Sequence, residues 1–323
     1  MGEFELIRRY FATQTPTHTS VLLGIGDDAA LLQPEAAELL VVSVDSLVEG
    51  THFLPEIAPA DLATRLLGAA VSDLAAMGAR PAWFTLALTL PEANPDWLAA
   101  FAQSLSQRAT ELGIDLIGGD TTRGPLSLTA QVMGWVKPNQ VIRRQGAQPG
   151  DLILVTGQLG DSRAGLQTLL EQAAETPEIA YLRQKFYRPE PRLAWAQHLA
   201  PWVSAGLDIS DGLLADLNHL LAPGHLGAEI YLEQVPVSAA LCLYQSDSHQ
   251  RYQWALTGGE DFELCLTLPA ALWSQQQSQW QAQGIEVQCI GQVSAQPGIR
   301  VWQGDHLFQP EQQGYDHFRR QDG

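Results

Sequence analysis

Only three cysteines occur in the 323 residues, Cys242, Cys265 and Cys289, widely spaced and with no C-x-x-C pair. That spacing excludes a disulfide framework, a thiolate zinc site and a dithiol redox centre, and the three are expected to be reduced core thiols. Lysine is rarer still. Lys137 and Lys185 are the only two, so arginine must supply nearly every cationic contact. Basic residues number 18 against 36 acidic ones, a formal charge of -18. Proteins that grip nucleic acid without sequence preference need a basic stripe to release counterions, so nucleic acid is excluded as a partner. No apolar run approaches the roughly 18 to 20 residues needed to cross a bilayer, which excludes a helical membrane span. The opening eleven residues carry acids ahead of their arginines, lack the apolar stretch of a signal peptide and read as a short amphipathic helix. A cytoplasmic location is expected. Neither a Gly-x-x-x-x-Gly-Lys-Ser/Thr loop nor a protein-kinase signature set is present, so the two familiar nucleotide-binding machines are absent.

What the chain does have is acid, placed beside glycine or at the end of an apolar run. The clusters read Gly-Ile-Gly-Asp-Asp-Ala-Ala from Gly24, Val-Ser-Val-Asp-Ser from Val42, Gly-Gly-Asp-Thr-Thr-Arg from Gly118, Asp-Ile-Ser-Asp-Gly from Asp208 and Gly-Gly-Glu-Asp from Gly258. Gathered carboxylates repel one another unless cations are supplied or pKa values rise. Hard cations take oxygen ligands, and magnesium commonly keeps waters while sharing one or two carboxylates with substrate phosphates. The pattern points to magnesium and phosphate chemistry.

The hydrophobic share of 46% is enough for real cores, and the length suits two domains. Periodicity predicts strands over 39–45, 83–90, 114–118 and 126–136 and helices over 59–78 and 94–112. Turn formers crowd residues 137–151, which places a domain boundary at 138/139. A second α/β pattern follows, with strands over 152–156, 203–208 and 262–268 and helices over 161–175 and 212–221.

Asp45, Asp120 and Asp208 are expected at the C-terminal ends of strands, where open α/β sheets present ligand-binding groups, although surface turns also collect aspartate. Asp73 lies on the apolar face of its helix, seven residues after Leu66 and four before Met77. It needs a partner, either a cation site or an arginine such as Arg65 or Arg80. The Thr156–Gly160 stretch is either a plain strand-to-helix turn or a set of amides facing an anion. Arg123 and Arg144 are candidate phosphate forks; Arg143 and Arg144 also read as a solvated surface pair.

These motifs, with Asp45-Ser-Leu-Val-Glu-Gly-Thr-His52-Phe, Val71-Ser-Asp-Leu-Ala-Ala-Met-Gly-Ala-Arg-Pro81 and the ending Gly314-Tyr-Asp-His-Phe318, together resemble the thiamine-monophosphate kinase family over nearly the whole chain. That family sits in a superfamily with aminoimidazole ribonucleotide synthetase, selenophosphate synthetase and the hydrogenase maturation dehydratase. The resemblance implies an α+β, PurM-like architecture of two domains. Residues 1–138 would bind ATP and magnesium and pair across a homodimer, and 139–323 would form a C-terminal α/β domain completing the site. It implies several magnesium ions held by Asp28, Ser43, Asp45, Asp73, Asp120, Asp208 and Asp211, with Val44 giving only its carbonyl. Gly119, Asp120, Arg144 and Ser210 match nucleotide contacts. His52, Glu260 and Tyr315 match contacts to thiamine monophosphate, Tyr315 otherwise reading as a C-terminal core anchor. Asp27 and Asp261 stand beside matched positions as supporting residues.

The implied reaction transfers the ATP γ-phosphoryl group to a phosphate monoester, giving thiamine diphosphate. A monoester's second pKa is about 6, so it is largely ionised at neutral pH and no general base is expected. The alternatives are a sister enzyme of the superfamily, a metal-dependent phosphohydrolase and a non-catalytic nucleotide or cation sensor. A selenophosphate synthetase would carry a reactive residue near its N-terminus, where this chain has no cysteine, and the hydrogenase maturation protein ends in cysteine where this chain has glycine.

Overall fold

The computed structural model describes residues 3–12, 16–26, 29–311 and 314, and the chain divides into two compact units, Met1–Val141 and Ile142–Gly323. In the first, α1 (Glu3–Leu6) runs into a π-helical turn (Ile7–Phe11), then β1 (Val21–Leu23) and β2 (Leu31–Leu32) form a small antiparallel pair. There follow β3 (Leu39–Val48), α2 (Pro59–Ala76), β4 (Arg80–Leu90), α3 (Pro95–Leu112), β5 (Asp115–Arg123) and β6 (Ser127–Val136). The sheet order is β3-β6-β4-β5, with only β4 and β5 parallel.

Both helices begin with proline in the first turn, where its missing amide costs nothing. The Asn94 side chain accepts from the Asp96 and Trp97 amides, and Gly113, at φ +64°, closes α3 in the left-handed conformation. Leu62, Leu66, Ala70 and Leu74 of α2 are fully buried, and the helix packs against β3, β6 and α3. One sheet face is therefore covered. The other face of β3 shows Leu40, Val42, Val44 and Val48, with Val44 60% exposed.

The second unit holds β7 (Leu152–Thr156), α4 (Asp161–Leu170), α5 (Pro177–Tyr187), α6 (Leu193–Leu199), β8 (Ala205–Asp208), α7 (Leu213–Leu221) and β9 (Gly227–Tyr231). It continues with α8 (Ala239–Tyr244), α9 (Ser248–Thr257), β10 (Leu264–Leu268), α10 (Ala270–Ala282), β11 (Val287–Ser294), β12 (Gly298–Gln303) and β13 (His306–Phe308). The sheet runs β13-β12-β9-β11-β7-β10-β8, antiparallel except between β9 and β12. Its core joins Ile153, Val155, Leu207, Leu217, Ile230 and Ile290.

Several expectations need correction. Asp45 and Asp120 lie inside their strands, because β3 continues to pair with β6 through Val48 and β5 with β4 through Arg123. The helix expected over 161–175 stops at Leu170; Gln172 takes φ +51° and Pro177 opens the next helix. Of the cysteines only Cys265 is a core residue, since Cys242 is exposed and Cys289 half-buried. Among the described residues no helix is long and apolar enough to cross a membrane.

Candidate nucleotide and metal site

In the first unit, strand alternation places Ser43, Asp45 and the buried Leu47 on the face of β3 that α2 covers, and Val42 and Val44 on the other. Ser43 Oγ donates to Asp73 Oδ2 at 2.5 Å, which joins the strand to α2 through two oxygen-bearing side chains. The half-buried Asp73 thus has a hydroxyl partner, while Arg80 pairs with Glu35 and Glu38. His52 follows the same strand. Its Nδ1 accepts from the Val48 amide at 3.1 Å, and its carbonyl accepts from Arg65, so the imidazole is fixed with Nε2 left to carry the proton.

Asp120 stands at the other side of the sheet. The register aligns Asp45 with Ala130, Leu86 and Gly119, and aligns Asp120 with Ala87 and Thr129 in the next row. Asp120 therefore lies three strands from Asp45, on the alternate face. It borders a cavity of about 770 Å³ lined by Ile7, Phe11, Gly24, Ala30, Ile117 and Gly119 among others. A Cβ on Gly119 would lie 2.0 Å from the Leu86 carbonyl oxygen, so only glycine lets β5 approach β4 at the cavity floor. Asp28, with its neighbour Asp27, and Tyr315 lie outside the described residues.

In the second unit, Asp208 ends β8 and is buried, whereas Ser210 and Asp211 in the following loop are partly exposed. The amides of Ser210, Asp211 and Gly212 all donate to one oxygen, Asp216 Oδ2, at 3.0, 3.0 and 3.1 Å. Burial pushes the Asp216 carboxyl up to about 7; the charges of Asp211 and Asp208 add to that, and the amides oppose it. Asp216 was not singled out in the sequence. Its signal was an acid in the first turn of a helix, favoured there by the macrodipole.

The Gly-Gly-Glu-Asp loop packs on the same loop from the other side. Glu260 and Phe262 hold positive φ of 59° and 51°, a conformation costing roughly 1–2 kcal/mol each. Their amides donate to the Ser210 carbonyl at 2.7 Å and the Ile209 carbonyl at 2.9 Å, which over-determines the strained turn. Asp261 then accepts from the Gly160 amide at 2.8 Å and the Ser162 amide at 3.3 Å, capping α4. The Gly160 amide belongs to the turn after β7, which reads from the sequence as either a plain strand-to-helix turn or a set of amides facing an anion; an internal carboxylate fills it. Glu263 takes a bidentate pair from Arg192 and a 2.7 Å bond from Thr156, tying β10 to β7. Arg163, in the first turn of α4, packs against Gly258 with the Glu260 charge nearby. Arg144 is exposed, on a segment laid along β8 by the Gly206 amide donating to the Arg143 carbonyl at 2.9 Å.

Each unit thus presents its own oxygen donors. Among the described residues no three acidic, histidine or cysteine side chains form a ready metal cage. What is built is a pair of stiff loops and a strand–helix face, each displaying one or two acids.

Comparison with known proteins identifies these motifs. The AIR synthase related protein N-terminal domain matches residues 26–136, and its C-terminal domain matches 148–303. The thiamine-monophosphate kinase of Salmonella typhimurium is 45% identical over 320 residues, covering 98% of each chain. The crystal structure of thiamine-monophosphate kinase from Stenotrophomonas maltophilia superposes with a TM-score of 0.83 at 42% identity, covering 88% of this chain and 92% of that one. AaThiL complexed with AMPPCP and TMP superposes with a TM-score of 0.78 at 30% identity, covering 91% and 92%. The chain belongs to the thiamine-monophosphate kinase family, in the two-domain PurM-like fold of the AIR synthase related proteins.

Proposed function

We propose that this chain is an ATP-dependent kinase that converts thiamine monophosphate to thiamine diphosphate by direct transfer of the γ-phosphoryl group. The observation that carries the reading is the 45% identity to a thiamine-monophosphate kinase along 98% of both chains. The donor chemistry fits magnesium, because a hydroxyl and two carboxylates on one face are hard oxygen ligands, and magnesium needs only one or two carboxylates when substrate phosphates complete its shell. Ser43, Asp45, Asp73 and Asp120, with Asp28 and the Val44 carbonyl, would hold the ions on the first unit; Asp208 and Asp211 would do so on the second. When bound, magnesium supplies charge neutralisation between two anionic reactants. Gly119, Asp120, Arg144 and Ser210 would face the nucleotide. His52, Glu260 and Tyr315 would orient the acceptor, with Glu260 opposite its cationic ring system. No side chain needs to remove a proton from an acceptor already ionised.

Sheet geometry supports a homodimer. Three interstrand steps separate Asp45 from Asp120 by about 14 Å, too far to share one ion whose bonds are about 2.1 Å. Among the described residues β3 and β5 each have one unpaired edge, and β3 displays exposed Leu40, Val42 and Val44. A second copy meeting these edges would bring Asp120 of the partner subunit alongside Asp45. Each site would then draw on both chains.

The test is ADP formation with magnesium and ATP, with thiamine monophosphate, thiamine or water as acceptor. ADP that accumulates only with the monophosphate and in equal amount to thiamine diphosphate is expected. Inorganic phosphate released without acceptor would mark a phosphohydrolase, and nucleotide binding without ADP would mark a sensor.

A further inference from the structure

Three consecutive amides pointing at one spot form a nest of the kind that binds a phosphate oxygen in many nucleotide sites. The Ser210–Gly212 loop makes such a nest, and its occupant is internal: Oδ2 of Asp216, a residue only 5% exposed, takes all three bonds. The return bond runs from the Asp216 amide to the Gly212 carbonyl at 3.0 Å, so loop and helix α7 brace each other. Gly212 has φ +112°, and a Cβ there would lie 2.8 Å from the Thr257 carbonyl carbon; no other residue turns the chain at this point. With the amides aimed inward, the Ser210 and Asp211 side chains are the part of the loop left at the surface.

We propose that Asp216 is a positioning residue for the proposed reaction: its carboxylate fills a phosphate-like nest and so commits the Ser210–Asp211 loop to bind nucleotide and cation through side chains and not through backbone amides. The inference rests on the kinase reading above. It assigns Asp216 no contact with substrate.

The test uses the full-length protein and the substitutions Asp216→Ala and Asp216→Asn. Alanine empties the nest, and kcat/KM for magnesium–ATP is expected to fall by about 30-fold or more, with an increased magnesium requirement. Asparagine keeps a carbonyl oxygen and is expected to retain a larger share. Formate is the probe for the vacated nest. It should recover activity of the alanine variant by about 5-fold or more while leaving the unsubstituted protein unstimulated. Amide hydrogen exchange at residues 210–212, read without substrates, should accelerate in the alanine variant and slow again with formate. An alanine variant with undiminished kcat/KM, or one whose loss and exchange both ignore formate, would overturn the proposal. If alanine prevents folding, the asparagine variant decides: protection at 210–212 equal to that of an unstructured loop would overturn it. The exchange arm needs no turnover. Loss of protection that formate restores, in a protein with no kinase activity, would remove the kinase reading and leave the nest assignment standing.

Discussion

At the scale of single residues, the acids divide by what they touch. Asp73 takes the Ser43 hydroxyl, and the half-buried Asp45 on the same covered face takes the neighbouring Ser46 amide, whereas Asp216 and Asp261 each accept two or more backbone amides that hold a loop or a helix start. Replacing Asp45 by Asn is therefore expected to lower kcat/KM by about 100-fold or more with little change in Tm; near-normal turnover would remove Asp45 from the metal shell. Asp216 behaves differently. Its folded pKa is raised, so the folded state holds its proton more tightly than the unfolded chain. Stability from this group is present below the unfolded value of about 4 and is lost as pH rises towards about 7. Thermal melts in EDTA should show Tm falling across that window, with a shallower fall in Asp216→Asn. An unchanged slope in the variant would contradict the assignment.

At the scale of elements, the helix α4 and the Gly-Gly-Glu-Asp loop stand or fall together. Asp261→Ala uncaps α4, for a cost of about 1 kcal/mol, and loosens the strained Glu260 turn. The KM for thiamine monophosphate is expected to rise several-fold while the KM for ATP changes little; equal changes in both would show that the cap does not steer Glu260. Sequence reading found α2, α3 and the strands β3, β4, β5 and β6 of the first unit because their apolar spacing is strong and proline and glycine mark their ends. It left out β11 and β12, whose buried positions are interleaved with Gln and Gly, and α10, a glutamine-rich helix in which only Trp280 is buried. It left out Asp216 because a helix-starting acid looks the same whether it faces solvent or three amides. Motif residues were legible by type, but their separation was not: strand order decides that Asp45 and Asp120 lie on opposite edges, and strand order has no local signature.

At the scale of the whole molecule, that separation would give the proposed dimer a chemical role. Asp45→Asn and Asp120→Asn are each expected to be nearly inactive. Unfolded and refolded together, half of the dimers would be mixed, and each mixed dimer would contain one site with both native aspartates. Activity near one quarter of the unsubstituted level is the expected result of a two-chain site. No recovery on mixing would confine each site to a single chain.

The most direct measurement is phosphorus NMR of ATP, magnesium and thiamine monophosphate with the protein. The monophosphate resonance should be replaced by the two coupled resonances of a diphosphate ester as ADP appears in equal amount, with no free inorganic phosphate. Inorganic phosphate growing in while the monophosphate resonance stays constant would contradict the account.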